Sequence, residues 1–177
     1  MAMPGAGKNY LADILKEHNY VSIGGGDIIR EECRKRGLAL TSKNQTDVSL
    51  DIYAKEGPDA IGKRIASKVE KYLEEGKDVV IEGIRKVEDN HHYAKNFDDY
   101  KLAYVFVPTK VRHKRLLERQ DNDRKVTIDE ILERDREEIV HKRIGDLIVH
   151  ADHVINNTST DHKEIEKQVL EFAEITN

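Results

Sequence analysis

The sequence has one cysteine, Cys33, and no tryptophan. A single cysteine cannot form an internal disulfide, and without a cluster of cysteine and histidine the composition argues against a zinc site. No apolar run approaches the roughly 20 residues that a membrane-spanning helix needs, and the N-terminal residues lack a signal-peptide pattern. These absences predict a cytoplasmic protein without a membrane partner.

The chain also lacks a large excess of charge of either sign. Thirty basic residues against 34 acidic residues give a formal net charge of −4. Because no whole-protein field then attracts nucleic acid, we expect no nucleic-acid partner, and any anion site must be local. A length of 177 residues suits one substantial core, so we predict that residues 1–177 form a single domain.

Apolar runs alternate with helical patterns along the chain. Short runs rich in Val, Ile and Tyr predict strands at Tyr20–Ile23, Val79–Glu82, Leu102–Val107 and His153–Asn156. Helices are predicted at Tyr10–Glu17, Asp27–Arg36, Asp47–Lys55, Asp59–Glu75, Val111–Arg119, Ile128–His141 and Lys163–Ile175. This alternation predicts right-handed crossovers and a parallel sheet covered on both faces, which is a three-layer α/β/α fold.

The sharpest motif is the glycine-rich turn Met3-Pro4-Gly5-Ala6-Gly7-Lys8, which opens an amphipathic helix. In such a turn the backbone N–H groups point at phosphate oxygens, and the helix N-terminus adds positive potential. The lysine reaches the β- and γ-phosphates, so Lys8 is predicted to be catalytic. We predict an ATP site formed by Pro4, Gly5, Ala6, Gly7, Lys8, Asn9 and Tyr10; a solvated turn before an ordinary helix is the alternative.

Two positions depart from the usual phosphate-loop pattern G-x-x-x-x-G-K-[ST]. Ala2 stands where the first glycine is expected, and Asn9 stands where a Mg²⁺-binding hydroxyl is expected. Asn9 can still offer a carbonyl oxygen or hold a metal-bound water. We therefore keep Mg²⁺, bound together with ATP, as the expected cofactor.

A phosphate loop normally follows a central β-strand, yet only Met1 and Ala2 precede this loop. The alternatives are a segment upstream of Met1 or a protein that functions without that strand. We favour an upstream segment, because the inner strands of a parallel sheet supply apolar contacts and hydrogen bonds on both sides. The expectation is an apolar run of about five or six residues, the length of a typical strand.

A second group of glycines, Gly24-Gly25-Gly26, ends the first predicted strand and leads into Asp27 and Arg30. Glycines at a strand end let a ligand approach the backbone closely. Arg30 is predicted to hold an acceptor phosphate, and Asp27 to orient a hydroxyl or a Mg²⁺-bound water. The alternative is that Asp27 caps the helix while Arg30 is a surface charge.

The next strand ends in Glu82-Gly83-Ile84-Arg85. In open α/β sheets, ligands bind beyond the carboxyl ends of the strands. Gly83 and Arg85 are therefore predicted to bind the acceptor, and an exposed polar turn is the alternative.

Arginines recur after the strand at Leu102–Val107, at Arg112, Arg115, Arg119 and Arg134. Phosphoryl transfer needs positive groups around the transferred phosphate, and a closing lid can supply them. We predict that Arg119 and Arg134 are catalytic residues of a lid at about 119–134, with an acceptor-binding insert at about 27–75. A solvated helix pair rich in Arg and Glu is the alternative.

These motifs resemble the nucleoside monophosphate kinase branch of the P-loop kinases. Gly26-Asp27-Ile28-Ile29-Arg30 is similar to the Gly-Asp-x-x-Arg of adenylate kinases, and Glu82-Gly83-Ile84-Arg85 resembles their Asp-Gly-Phe-Pro-Arg, one residue shorter. In that family both arginines clasp the acceptor phosphate, which implies this role for Arg30 and Arg85. Adenylate kinases also lack Ser or Thr directly after the loop lysine; their hydroxyl follows one residue later, where this chain has Tyr10.

The C-terminal half instead resembles dephospho-coenzyme A kinase, whose final strand usually ends beside the ATP adenine; the tract Ala151–Asn157 is similar to that strand. Over nearly its whole length the chain resembles a poorly characterised archaeal P-loop family, labelled adenylate-kinase-like or dephospho-coenzyme A kinase-like. The shared segments are Asp27–Glu32, Gly57–Ala60, Glu82–Arg85 and Arg134–Glu138. Members of that family typically begin with a strand followed by Gly-Met-Pro-Gly-Ala-Gly-Lys-Ser.

The sequence thus predicts an ATP-dependent kinase that acts on a nucleoside monophosphate or on dephospho-coenzyme A. An ATP-binding regulatory or chaperone-like protein with little transferase activity is the alternative. Ala2, Asn9 and the lack of a strand before the loop support that alternative.

Overall fold

The computed structural model describes residues 1–118, 120–121 and 124–175. The helices are α1 (Lys8–Glu17), α2 (Gly25–Lys35), α3 (Ser42–Glu56), α4 (Ala60–Glu74), α5 (Val87–Asn96), α6 (Thr109–Glu118), α7 (Ile128–Arg136), α8 (Ile144–Ile148) and α9 (His162–Phe172). The strands are β1 (Val21–Gly24), β2 (Val79–Glu82), β3 (Ala103–Phe106), β4 (Gln120–Asp121), β5 (Arg124–Lys125) and β6 (His153–Asn156). A π-helical turn, Glu137–His141, directly follows α7.

Helix α7 begins with a reciprocal cap that its sequence encodes. The Thr127 hydroxyl oxygen accepts a hydrogen bond from the Glu130 backbone N–H at 3.3 Å, and the Glu130 carboxylate accepts one from the Thr127 N–H at 2.9 Å. Two N–H groups that the helix cannot pair internally are thereby satisfied. This cap fixes the start of α7 after β5.

The strands form two parallel pairs. β1 pairs with β2 from Val21 opposite Val79 to Gly24 opposite Glu82, and β3 pairs with β6 along their full lengths. The predicted parallel pairing is confirmed. In the described part of the chain these two pairs are separate sheets, and a cavity of about 650 Å³ lies between β2 and β3.

The residues that precede the phosphate loop lie along β3. The Val105 backbone N–H donates to the Met1 carbonyl at 3.0 Å, and Ala2 forms a parallel bridge with Val105. The Met1 amino group donates to the Ala103 carbonyl at 2.6 Å, and burial lowers its pKa to about 6. Residues 1–2 therefore begin a third parallel partner on the cavity side of β3, while the expected apolar run upstream of Met1 stays a prediction.

Alternating strand residues pack into two separate cores, as side chains on opposite faces of a sheet must. Val79 and Ile81 contact a core with α2, α3, α4, α5 and α8, whereas Val80 contacts a core with α1 and α9. Tyr104 and Val105 divide between the two cores in the same way. Helices thus cover both faces of the strands, and the three-layer prediction is confirmed.

The predicted strands at Val79–Glu82 and His153–Asn156 have the observed bounds. The sequence pattern did not predict α5 or α8. It predicted one helix, Ile128–His141, where α7 passes into the π-helical turn. The limits of the insert and of the lid stay predictions, and Arg119 lies outside the described residues. No helix in the described ranges is both long and apolar enough to cross a bilayer.

Candidate nucleotide-binding site

The loop between Ala2 and α1 makes a tight turn that requires glycine twice. Gly5 and Gly7 have φ angles of 79° and 82°, in the left-handed region that favours glycine. A Cβ on Gly5 would lie 2.9 Å from the Arg112 carbonyl oxygen, and one on Gly7 would lie 2.4 Å from Nδ2 of Asn157. The loop therefore packs directly against α6 and against the residue that follows β6.

Asn157 supports the loop from below. Its side chain is buried, and its Nδ2 donates to the Ala6 carbonyl at 2.8 Å. Ala6 is itself almost fully buried. Sequence reasoning associated this tract with the adenine of ATP and gave Asn157 no contact with the loop. The sequence does carry one signal for this contact, since Asn157 comes directly after a predicted strand. Such positions lie at the carboxyl edge of a parallel sheet, where the phosphate loop also begins.

The lysine of the loop meets a carboxylate at the end of β2. Lys8 Nζ lies 3.5 Å from Glu82 Oε2 and donates to Asn9 Oδ1 at 2.6 Å. The other Glu82 oxygen accepts a hydrogen bond from the Ser22 hydroxyl at 2.5 Å. Glu82 thus connects β1 to the loop, a role that sequence reasoning did not assign although it placed this residue at the strand end.

The predicted acceptor residues Asp27 and Arg30 lie at the neighbouring strand end. Asp27 Oδ2 accepts from the Gly24 backbone N–H at 2.8 Å, and Asp27 Oδ1 accepts from Arg30 Nη2 at 2.7 Å. The capping alternative for Asp27 is thus what the structure contains, and its ligand role stays a prediction. Gly24 pairs with Glu82, so the Asp27–Arg30 pair lies at the strand end next to the one that carries Glu82.

The other predicted acceptor residues follow β2. Gly83 has a φ of 72°, and a Cβ built on it would lie 3.9 Å from Lys8 Cε, so the backbone turns close to the lysine. Arg85 is half-exposed, and its Nη2 lies 3.6 Å from Glu138 Oε1. Glu138 is buried and holds Lys142 more closely, at 2.8 Å. Arg85 is therefore only weakly paired, and acceptor binding by Gly83 and Arg85 stays a prediction.

The arginines of α6 and α7 do not act as one set. Arg112 is buried, with both terminal nitrogens bound to the Asp135 carboxylate, so it is unavailable to a phosphate. Arg115 is half-buried and Arg134 is exposed, and neither guanidinium has a hydrogen bond or ion pair within the described residues. Arg134 keeps its catalytic role as a prediction.

Tyr10 lies on the side of α1 that faces α9. Its hydroxyl oxygen lies 2.6 Å from Nδ1 of His162, and the two rings meet edge to face. The structure therefore does not bring the Tyr10 hydroxyl to the loop, and ATP binding by Tyr10 stays a prediction.

The side chains near Lys8 fit a Mg²⁺ ion that is held mainly by ATP. Within the described ranges, no group of three or more His, Cys, Asp and Glu residues forms a protein-only metal site. Mg²⁺ in nucleotide sites takes one or two carboxylates together with phosphates and waters. When Mg²⁺ binds with ATP, Glu82 and Asp27 would supply these carboxylates. Asn9 Oδ1 accepts from Lys8, and the metal roles of Asn9 and Asp27 stay predictions.

Comparisons with known proteins identify the family. The sequence matches the AAA domain family AAA_18 over residues 1–141. It is 34% identical over 174 residues to a UPF0200 protein of Thermococcus gammatolerans, and the matched region covers 97% of this chain and 90% of that protein. The chain belongs to the UPF0200 family. A UPF0200/UPF0201 protein of Archaeoglobus fulgidus is 35% identical over 93% of this chain, which spans about half (51%) of that protein.

Solved structures with the same fold as this UPF0200 chain include kinases. A shikimate kinase from Bacteroides thetaiotaomicron superposes with a TM-score of 0.57 at 15% identity, over 99% of this chain and 94% of that one. A sugar kinase from Janibacter sp. HTCC2649 gives 0.57 at 13% identity, over 99% and 92%. These matches confirm a kinase-like P-loop fold, and they support neither the adenylate kinase nor the dephospho-coenzyme A kinase subtype in particular.

Proposed function

We propose that this UPF0200 chain is an ATP-dependent phosphotransferase whose acceptor is a small nucleotide-like molecule, such as a nucleoside monophosphate or dephospho-coenzyme A. The observation that carries the proposal is the 3.5 Å approach of Lys8 Nζ to Glu82 at the carboxyl end of β2. The Asp27–Arg30 pair lies at the adjoining end of β1. A donor loop and a basic acceptor group therefore meet at one edge of the strands.

In this proposal the residues divide into three groups. The loop N–H groups and Lys8 hold the triphosphate, and Arg30 and Arg85 hold the acceptor. Arg134, together with Arg119 outside the described residues, stabilises the transferred group. Transfer forms a bond from an acceptor oxygen to the γ-phosphorus and breaks the bond to the β–γ bridging oxygen, so that ADP leaves. Such a reaction depends on positioning and charge stabilisation more than on a strong base.

Two carboxylates take part in the proposal, and one of them has a second role with a hydroxyl acceptor. When Mg²⁺ is bound together with ATP, Asp27 and Glu82 would hold its waters, and the ion would offset negative charge on the phosphates. A phosphate acceptor attacks without losing a proton. A hydroxyl acceptor must lose one, and Glu82 is the carboxylate beside Lys8 that accepts it.

The charge balance and the single buried cysteine support a cytoplasmic location without a nucleic-acid or membrane partner, which is part of the same proposal. The test is ADP release from ATP with AMP, CMP, UMP, GMP or dephospho-coenzyme A as the acceptor. One acceptor is expected to raise the rate well above that of ATP alone. A rate that no acceptor raises contradicts the proposal.

One observation favours a second function, an ATP-binding regulatory or chaperone-like protein. Asn9 stands where a Mg²⁺-binding hydroxyl is expected, and its Oδ1 takes the Lys8 ammonium at 2.6 Å. A lysine held in this way binds phosphate less readily. The variant Asn9→Ser distinguishes the two functions, because it releases Lys8 from Asn9. The turnover of a kinase should then rise, whereas a regulatory protein should gain only affinity for ATP.

A further inference from the structure

Arg112 of α6 contacts the phosphate loop. It lies on α6 with 5% of its surface exposed, and its Nη1 donates to the Pro4 carbonyl at 2.8 Å. Its own carbonyl oxygen would lie 2.9 Å from a Cβ on Gly5, so α6 abuts the loop at this point. The Pro4 carbonyl is thus held by a side chain of α6.

The same guanidinium is fixed by α7. Nη1 and Nη2 of Arg112 donate to Oδ1 and Oδ2 of Asp135 at 2.9 Å and 2.8 Å. His113 Nε2 lies 2.9 Å from Asp135 Oδ2, and Asp135 is 9% exposed. Burial alone would raise the pKa of Asp135, but the hydrogen bonds from Arg112 and His113 outweigh it and hold that pKa below its ordinary value. The carboxylate is therefore charged, and it orients the arginine through two parallel bonds.

We infer that Arg112 is a positioning residue of the ATP site, and that the Arg112–Asp135 pair couples α7 to the phosphate loop. One rigid guanidinium group donates two hydrogen bonds to Asp135 and one to the Pro4 carbonyl, so a shift of α7 moves that carbonyl with it. Arg134 is the neighbour of Asp135 on α7. The pair therefore fixes the helix that carries Arg134 relative to the loop that carries Lys8. The inference rests on the proposed function only in taking ATP as the ligand of the loop.

Arg112→Lys tests the positioning role with little change in charge. A lysine ammonium cannot form the parallel bonds to Asp135 and also reach Pro4. We expect the Kd of ATP, measured by calorimetry, to rise at least tenfold. Hydrogen exchange at the amides of Gly5–Lys8 is expected to accelerate in the ligand-free protein. Unchanged exchange at these amides overturns the inference, whether or not ATP is the ligand.

Arg64→Lys is the matched control, because Arg64 also makes three hydrogen bonds, all of them to the carboxylates of Glu56 and Glu32 and away from the loop. Its ATP affinity is expected to stay within twofold of the parent protein. An equal loss of affinity in both variants means that general destabilisation explains the effect, and the inference is then wrong.

The double variant Arg112→Met/Asp135→Leu separates stability from positioning. Replacing both buried charges by apolar side chains often preserves stability, but the Pro4 carbonyl still loses its donor. We expect a Tm near that of the parent protein together with weak ATP binding and fast exchange at the loop. Recovery of ATP affinity along with Tm refutes a positioning role. If the parent protein itself binds no ATP, the proposed function fails, and the exchange data alone decide on Arg112.

Discussion

Replacing Gly7 by alanine is expected to destabilise the fold and to weaken ATP binding together. Gly7 has a φ of 82°, and a left-handed conformation costs a residue with a Cβ roughly 1–2 kcal/mol. The new Cβ would lie 2.4 Å from Asn157 Nδ2, so that amide must move away from the Ala6 carbonyl. Leaving a buried carbonyl unpaired costs about 1–3 kcal/mol more. The free energy of unfolding should therefore fall by about 2–5 kcal/mol.

Two other glycines separate these contributions. Gly37 has a φ of 68° with nothing within 4 Å of a built Cβ, so Gly37→Ala carries the backbone strain alone. Gly145 lies in α8 with open space around it, and an alanine there is expected to stabilise the protein by roughly 0.5–1 kcal/mol. Urea denaturation of the three variants, with ATP titration of the folded protein, gives the comparison.

The reasoning is refuted if Gly7→Ala costs no more stability than Gly37→Ala, because the contact with Asn157 then contributes nothing. A double-mutant cycle checks the same point. In Gly7→Ala/Asn157→Gly the clash is gone, so the loss should be smaller than the sum of the two single losses. Additive losses would show that the two positions do not interact.

Three further predictions concern the acceptor residues, a half-buried carboxyl and the cavity between the strand pairs. Arg30→Ala and Arg85→Ala should raise the acceptor KM with little change in ATP affinity, and a loss confined to ATP binding would reverse the assignment of the two sites. Burial raises the pKa of Asp89 to about 6 from 3.8, so the folded state holds this proton more tightly and the free energy of unfolding falls as pH rises from about 4 to about 6. In Asp89→Asn, the free energy of unfolding from urea denaturation should depend less on pH over that range. An unchanged pH dependence contradicts the shift. An apolar segment of about five residues added before Met1 should pair with β2 and β3 and raise both Tm and ATP affinity. A Gly/Ser segment of equal length is the control, and equal effects of the two segments would contradict the pairing.

The sequence predicted those parts of the fold in which local pattern and burial agree. Val79–Glu82 is a short apolar, β-branched run between polar stretches, and the strand has those bounds. Helix α5 was missed because its ten residues, VEDNHHYAKN, are mostly polar, and Asn90 and Tyr93 alone are buried. A pattern of apolar residues cannot reveal a helix that buries so few.

The geometry of the candidate site follows from the sequence where one motif carries it, and not where residues that are distant in the chain meet. Gly5, Gly7 and Lys8 are adjacent in the chain, so their joint role follows from a local pattern. Arg112 was grouped with the lid arginines because helical spacing cannot show that Asp135, 23 residues later, faces it. The contact of Asn157 with Ala6 spans 151 residues and depends on the order of the strands, which spacing does not encode.

The most direct test of the central claim is transfer of the γ-phosphate of radiolabelled ATP to an acceptor, followed in parallel for the parent protein and for Lys8→Ala. The Lys8 side chain is about one-third exposed and contacts Asn9 and Glu82, so its loss should leave the Tm of the ligand-free protein nearly unchanged. We predict a labelled product with one nucleotide-like acceptor for the parent protein and none for the variant. Equal labelling by both proteins, with equal ATP affinity, would contradict the assignment of the loop, and ATP binding without any labelled product would contradict the assignment as a phosphotransferase.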